Sequence, residues 1–206
     1  MSKILYIIAG CNGAGKTTAS FTILPEILEC KDFVNADEIA KGLSPFQPEK
    51  VALEAGRIML RRLDELLSNG ENFAFETTLA TKSYKNKIKV AKENGFKVIL
   101  LFFWLRNVEL AIERVKIRVK EGGHNIPEDV IRRRYVNGIK NLFGIYIPIV
   151  DEAMIFDNSI DEYEMIAEKK ISNEFFIYNN RKFTLLKSDI VWNQIQIIQV
   201  LKDRKF

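Results

Sequence analysis

Gly10 to Thr17 read G-C-N-G-A-G-K-T and satisfy every fixed position of the phosphate-binding pattern G-x-x-x-x-G-K-[ST]. Each residue type has a chemical reason to be there. Gly10, Gly13 and Gly15 let the chain turn tightly and bring its amides close to an anion. Lys16 supplies a point charge for the outer phosphates of a nucleoside triphosphate. The Thr17 hydroxyl suits the Mg2+ that accompanies them. Asn12, Ala14 and Thr18 complete the cradle. A lone glycine-rich turn would say little. Here Lys and Thr stand at the required offsets, and an apolar run, Ile4 to Ala9, precedes the glycines. Strand, loop and helix N-terminus in that order form an anion site. The loop alone does not identify what receives a phosphate.

Two carboxylates follow predicted strands. D-F-V-N-A, from Asp32 to Ala36, predicts a short strand that ends at Asp37. In a parallel α/β sheet a side chain there faces the ligand crevice; capping a helix is its alternative role. Phe73 to Phe75 predicts a third strand, followed by Glu76, Thr77 and Thr78. Glu76 could bind an acceptor hydroxyl or a metal-bound water, or serve as a cap. Glu76 and Thr77 are candidate substrate contacts.

The basic residues are concentrated. From Arg114 to Arg134 there are seven Lys or Arg and three Asp or Glu, a local 7 − 3 = +4, which equals the net charge of the whole chain. Arg114 and Arg118 stand four apart on one helical face. Gly122 and Gly123 break that helix, and Pro127 opens the next, which carries Arg132, Arg133 and Arg134. Two arginine-bearing helices around a glycine hinge predict a lid that supplies positive charge and excludes water during phosphoryl transfer. Three consecutive helical residues span about 200° and cannot share a face. Arg114 and Arg118 are therefore the expected phosphoryl contacts, with Arg134 or its neighbour Arg133 as a third. His124 is expected to be a hinge or substrate contact. Asn158, in the turn after a predicted strand at Ala153–Phe156, is a candidate for the nucleotide side or an ordinary turn residue.

The 206 residues suit one compact α/β unit, and 47% apolar content supports a sizeable core. The expected fold is a three-layer sandwich around a parallel sheet of about five strands. Residues 1–160 would form the core, with the lid at about 108–134. Residues 161–206 would add short strands (Tyr163–Glu168, Phe175–Asn179 and Phe183–Leu186) and a final helix at Asp189–Leu201. An exposed strand edge there could bind a partner or pair two chains. A net charge of +4 does not argue for nucleic acid. Two cysteines and one histidine exclude a histidine-based metal site or a redox pair. No apolar run approaches membrane-spanning length, and no leader precedes the first strand, so a cytoplasmic location is expected. No hydrophobic strand ends in an aspartate with a partner glutamate, which argues against a motor-type NTPase.

Several segments together carry a resemblance. G-C-N-G-A-G-K-T-T, V-N-A-D-E-I-A, F-E-T-T-L, R-V-K-I-R-V, G-G-H-N-I-P-E-D-V-I-R-R-R-Y and the D-N-S turn resemble the zeta toxin family of P-loop kinases, in particular its small stand-alone bacterial members. The resemblance implies that Lys16 and Thr17 bind ATP and Mg2+. It implies that Asp37 is the general base, that Glu76 positions a sugar, and that Arg114 and a second lid arginine, Arg118, clamp the transferring group. It also implies phosphorylation of UDP-N-acetylglucosamine and an antitoxin-like partner that covers the ATP site. A short lid, a distinct arginine arrangement and a strand-like tail depart from the characterised toxins.

Overall fold

Hydrophobic runs too short for helices dominate the middle of the chain, and they assemble into one sheet. The computed structural model describes residues 3–123, 125–160 and 162–188. His124 and the helix expected over Asp189–Leu201 lie outside the described residues. Strands β1 (Lys3–Gly10), β2 (Asp32–Val34), β3 (Phe73–Thr77), β4 (Phe96–Trp104), β5 (Glu152–Asp157), β6 (Glu164–Lys169) and β7 (Phe175–Ile177) form a sheet of order β2-β3-β1-β4-β5-β6-β7. The five strands from β2 to β5 are parallel; β6 and β7 add to the edge antiparallel. β1 and β4 are almost wholly buried, as unbroken apolar runs must be when helices cover both faces. Phe73, Phe75, Phe103 and Trp104 are fully buried; each contributes on the order of 1.5–3 kcal/mol by leaving water.

The helices follow their own periodicity. In α3 (Ala52–Asn69), Ala55, Met59, Leu63 and Leu66 form a buried stripe, and Gly70 ends the helix with a left-handed φ of 72°. Further helices are α1 (Lys16–Glu26), α2 (Ala36–Leu43), α4 (Tyr84–Glu93), α5 (Val108–Lys120) and α6 (Glu128–Asn141). The segment around Asp37 is helix α2. Asn35 caps it, and Asp37 and Glu38 in its first turn complement the helix dipole. Tyr135 anchors α6 to the sheet. Its hydroxyl accepts from Trp104 Nε1 at 3.2 Å and donates to the Leu105 carbonyl at 2.7 Å.

The tail differs from expectation at one point. Phe183–Leu186, expected to be a strand, lies within a helix over residues 180–188. Two features of the sequence account for it. Asn179 accepts a hydrogen bond from the Lys182 amide, as an N-cap does, and Phe183 and Leu186, three apart, are both buried. The helix is joined to β5 by charge. Lys182 Nζ bridges Asp157, at the end of β5, and Glu164.

That bridge predicts a pH dependence. Burial alone would raise the Asp157 carboxyl, but Lys182 and Ser159 hold it below the ordinary aspartate range. Lys182 and Asn179 lower Glu164 likewise, and the two acids raise Lys182. Lowered acids stabilise the fold above the ordinary carboxylate pKa of about 4 and lose that contribution as pH falls through their folded values. A raised lysine contributes fully below its ordinary pKa of about 10 and loses its share only above that. Lys182→Ala should therefore cost about 2 kcal/mol near neutrality. Its deficit against wild type should close below about pH 4. Thermal melts across pH would check this; a deficit that persists at strongly acidic pH would show that the ion pair is not its origin.

Candidate active site

The phosphate loop is forced into shape by its surroundings. Gly10 has a φ of 146°, and a Cβ there would lie 2.3 Å from the Phe103 carbonyl oxygen on the neighbouring strand. Gly15 has a φ of 77°, and a Cβ there would lie 2.5 Å from Asn158 Nδ2. Only glycine fits either position. α1 starts directly after Gly15 with no side-chain cap and no acidic residue in its first turn. Its leading amides are thus available to an anion. Asn158 is buried beneath the loop: its amide donates to the Ala14 carbonyl at 2.8 Å, so it braces the cradle from below. Burial pushes the Cys11 thiol up to about 11, which leaves it neutral and unreactive beside Lys16.

Strand order then brings in residues distant in sequence. β3 lies beside β1, with Ile8 opposite Glu76 and Ala9 opposite Thr77. Glu76 and Thr77, expected just past the strand, are its last two residues. Glu76 Oε2 accepts from Thr17 Oγ1 at 2.8 Å and from Asn35 Nδ2 at 2.9 Å. Lys16 Nζ stands 3.4 Å from Glu76 Oε1 and donates to the Cys11 carbonyl at 2.9 Å. Glu76 therefore stands at the end of the strand beside the loop strand, against Thr17 and Lys16, although F-A-F-E lacks the aspartate ending sought in the sequence. Among the described residues no cluster of three or more His, Cys, Asp or Glu could hold a metal by itself. Thr17 and Glu76 offer hard oxygen donors of the kind Mg2+ takes when phosphate oxygens complete its shell.

Two cavities meet at this point. One of about 280 Å³ is lined by Gly15, Lys16, Thr17, Thr18, Arg114 and Arg118. The other, of about 210 Å³, is lined by Thr77, Thr78, Thr81, Tyr84 and Arg134. Asn12, Lys16, Asp37 and Glu76 line both. Asp37 is thus on the partition. Its backbone amide donates to Asn35 Oδ1 at 2.8 Å, so Asn35 does the capping and the Asp37 carboxylate is left over for chemistry. The wall of the smaller cavity is tied to the end of α6 and the segment after it. Asn141 Nδ2 donates to the Leu79 carbonyl at 2.7 Å, and the Tyr146 hydroxyl donates to the Thr81 carbonyl at 2.6 Å.

The arginines divide between the cavities. Arg114 Nη1 donates to the Asn158 carbonyl at 2.8 Å. Arg118 lines the larger cavity, and its Nε and Nη2 are buried without a hydrogen-bond partner. Buried donors without partners are costly in the ligand-free protein. Arg134 Nη1 donates to Asn12 Oδ1 at 3.2 Å and faces the smaller cavity. Arg133 is exposed, and Arg132 pairs with Glu109 on the outer surface of α5. Five of the residues named here escaped the sequence reasoning: Asn35, Glu38, Lys41, Thr81 and Tyr84. Asn35, directly before an acidic first turn, carried a capping signal that could have been found. Glu38 and Lys41, an ion pair one turn apart, line the larger cavity, whereas nothing local marks Tyr84.

Comparison with known proteins gives consistent matches. The family model described as Zeta toxin matches residues 1–181. An uncharacterized protein of Haemophilus influenzae is 34% identical over 126 residues, 61% of this chain and 88% of that one. The crystal structure of AvrRxo1-ORF1:-ORF2 with ATP superposes with a TM-score of 0.74 at 20% identity, over 91% of this chain and 64% of that chain. This chain therefore spans less than two thirds of that relative's length. A structure from the PezAT chromosomal toxin–antitoxin system of Streptococcus pneumoniae gives a TM-score of 0.63 at 18% identity, over 92% of this chain and 86% of that one. At these identities the structural matches establish the mostly parallel, helix-flanked fold. Among the described residues no helix is long and apolar enough to cross a membrane.

Proposed function

The chain belongs to the zeta toxin family, and from its site we propose that it is an ATP- and Mg2+-dependent kinase that phosphorylates a hydroxyl of a sugar nucleotide, UDP-N-acetylglucosamine or a close relative. The observation that carries this reading is the shared wall between the two cavities. Lys16, Asp37 and Glu76 line both, so a triphosphate in the larger cavity and a hydroxyl in the smaller one would meet there. The loop amides and Lys16 hold the phosphate chain. Asp37 takes the proton from the attacking hydroxyl. Arg118, with its unpaired nitrogens, and Arg114 face the charge that develops on the transferring group. Thr17 and Glu76 would hold Mg2+, which supplies charge neutralisation between the outer phosphates. Arg134, Thr77 and Tyr84 would orient the acceptor. The sugar nucleotide itself is carried over from the family; a chamber lined by threonines, a tyrosine and an arginine is compatible with it.

A protein partner belongs to the same proposal. Two of the structural relatives come from a toxin–antitoxin system and from an ORF1:ORF2 complex. A partner that blocks the larger cavity would silence the enzyme by excluding ATP.

Incubation with ATP, Mg2+ and UDP-N-acetylglucosamine, read by mass spectrometry, is expected to add one phosphate to the sugar nucleotide. No gain with ATP still bound would discard this acceptor. No transfer to any component of a metabolite extract would overturn the kinase reading.

A further inference from the structure

Asn35 sits between the last residue of β2 and the first of α2, and it is 6% exposed. Both ends of its amide are in use. Oδ1 accepts from the Asp37 amide at 2.8 Å, and Nδ2 donates to Glu76 Oε2 at 2.9 Å. The same Glu76 oxygen receives the Thr17 hydroxyl at 2.8 Å, while its other oxygen faces Lys16 at 3.4 Å. One side chain thus ties together three separate segments: the turn that presents Asp37, the end of β3, and the start of α1.

Capping does not require an amide. Asp and Ser cap as well as Asn. Of these three, only the amide places an acceptor on one atom and a donor for a carboxylate on another. We propose that Asn35 is a positioning residue for phosphoryl transfer. It orients the Glu76 carboxylate toward Thr17 while holding the first turn of α2, so the metal-side carboxylate and Asp37 keep a set spacing across the partition. The inference rests on the kinase reading, and it adds a residue whose role is to aim other groups rather than to touch the phosphate.

Asn35→Asp and Asn35→Ser test it. Both keep a capping acceptor. Asp has no donor for Glu76 and adds like charge, whereas Ser keeps one O–H donor on a shorter side chain. Outer-shell partners of metal-site carboxylates are worth about 10–100-fold in metal affinity or activity. Calorimetric titration of ATP at a series of Mg2+ concentrations should show the half-saturating Mg2+ raised about 10-fold or more in Asn35→Asp, with metal-free ATP binding unchanged. In the transfer assay kcat should fall by a similar factor, with the KM for the acceptor nearly constant. Asn35→Ser should show the same pattern more weakly, and it is the variant to read where Asn35→Asp fails to fold. Wild-type Mg2+ dependence and kcat in a folded Asn35→Asp or Asn35→Ser would overturn the proposal and leave Asn35 as a cap alone. The titration needs no acceptor. An inactive wild type would count against the kinase reading, while the Mg2+ series would still decide the role of Asn35.

Discussion

Asp37→Asn is expected to lower phosphate transfer by roughly 100-fold or more while ATP affinity stays near wild type. The substitution exchanges one oxygen for nitrogen and removes a partition carboxylate able to take a proton from a bound hydroxyl; Glu76, the other carboxylate there, is engaged by Thr17, Asn35 and Lys16. Its side effects are small for a structural reason. The cap of α2 runs from Asn35 Oδ1 to the backbone amide of residue 37, which the substitution leaves in place. Among the described residues the Asp37 carboxylate holds no other element together. Thermal stability should therefore fall only by the lost helix-dipole contribution of Asp37, under about 1 kcal/mol, and the loss should fall on kcat rather than on the KM for ATP. Transfer kinetics and an ATP titration on the same preparation measure both. Turnover equal to wild type would remove Asp37 from the role of base.

Arg118→Ala carries the second large effect, and its signature combines two signs. A cation placed on the transferring phosphoryl group is worth about 1,000-fold or more in rate. Transfer should fall on that scale, and Arg118→Lys should restore little of it, because a point charge does not reproduce a planar fork of donors. Stability should move the other way or not at all. Arg118 Nε and Nη2 are buried without partners, so their removal relieves a cost in the ligand-free protein. Arg114→Ala offers the contrast. Arg114 donates to the Asn158 carbonyl, and Asn158 in turn supports Ala14 in the loop, so its loss should weaken both activity and stability. Paired melts and transfer rates separate the two residues. Full activity in Arg118→Ala would show that its unpaired nitrogens do not serve the phosphoryl group.

Much of the chemistry was legible because it is local. The phosphate loop lies within eight consecutive residues, Gly10 to Thr17. The Arg114 and Arg118 pair follows from helical spacing. The parallel core follows from uninterrupted apolar runs flanked by amphipathic segments. Expectation failed where a local signal had a stronger rival. No helix was foreseen directly after β2, yet Asn35 with two following acids starts one there. Phe183–Leu186 has strand-like residues, but the Asn179 cap and the apolar pair three apart favour helix.

By itself the sequence determined the anion site, the presence of a carboxylate after β2, the arginine-bearing helices and the family. It also limited the metal chemistry to hard oxygen ligands around a phosphate, since one histidine and two cysteines offer little else. Only the tertiary structure decided which of these groups meet. Thr17 and Glu76 are 59 residues apart, Arg134 and Asn12 are 122 apart, and Asn158 and Ala14 are 144 apart. Those contacts depend on the order of strands in the sheet, in which β3 lies next to β1 on one side and β4 on the other. Pairing order is set by the burial of both sheet faces and by the crossover helices together. No short window of sequence contains that information, so the choice of Arg134 over Arg133, and the double use of Asn35, belong to the fold.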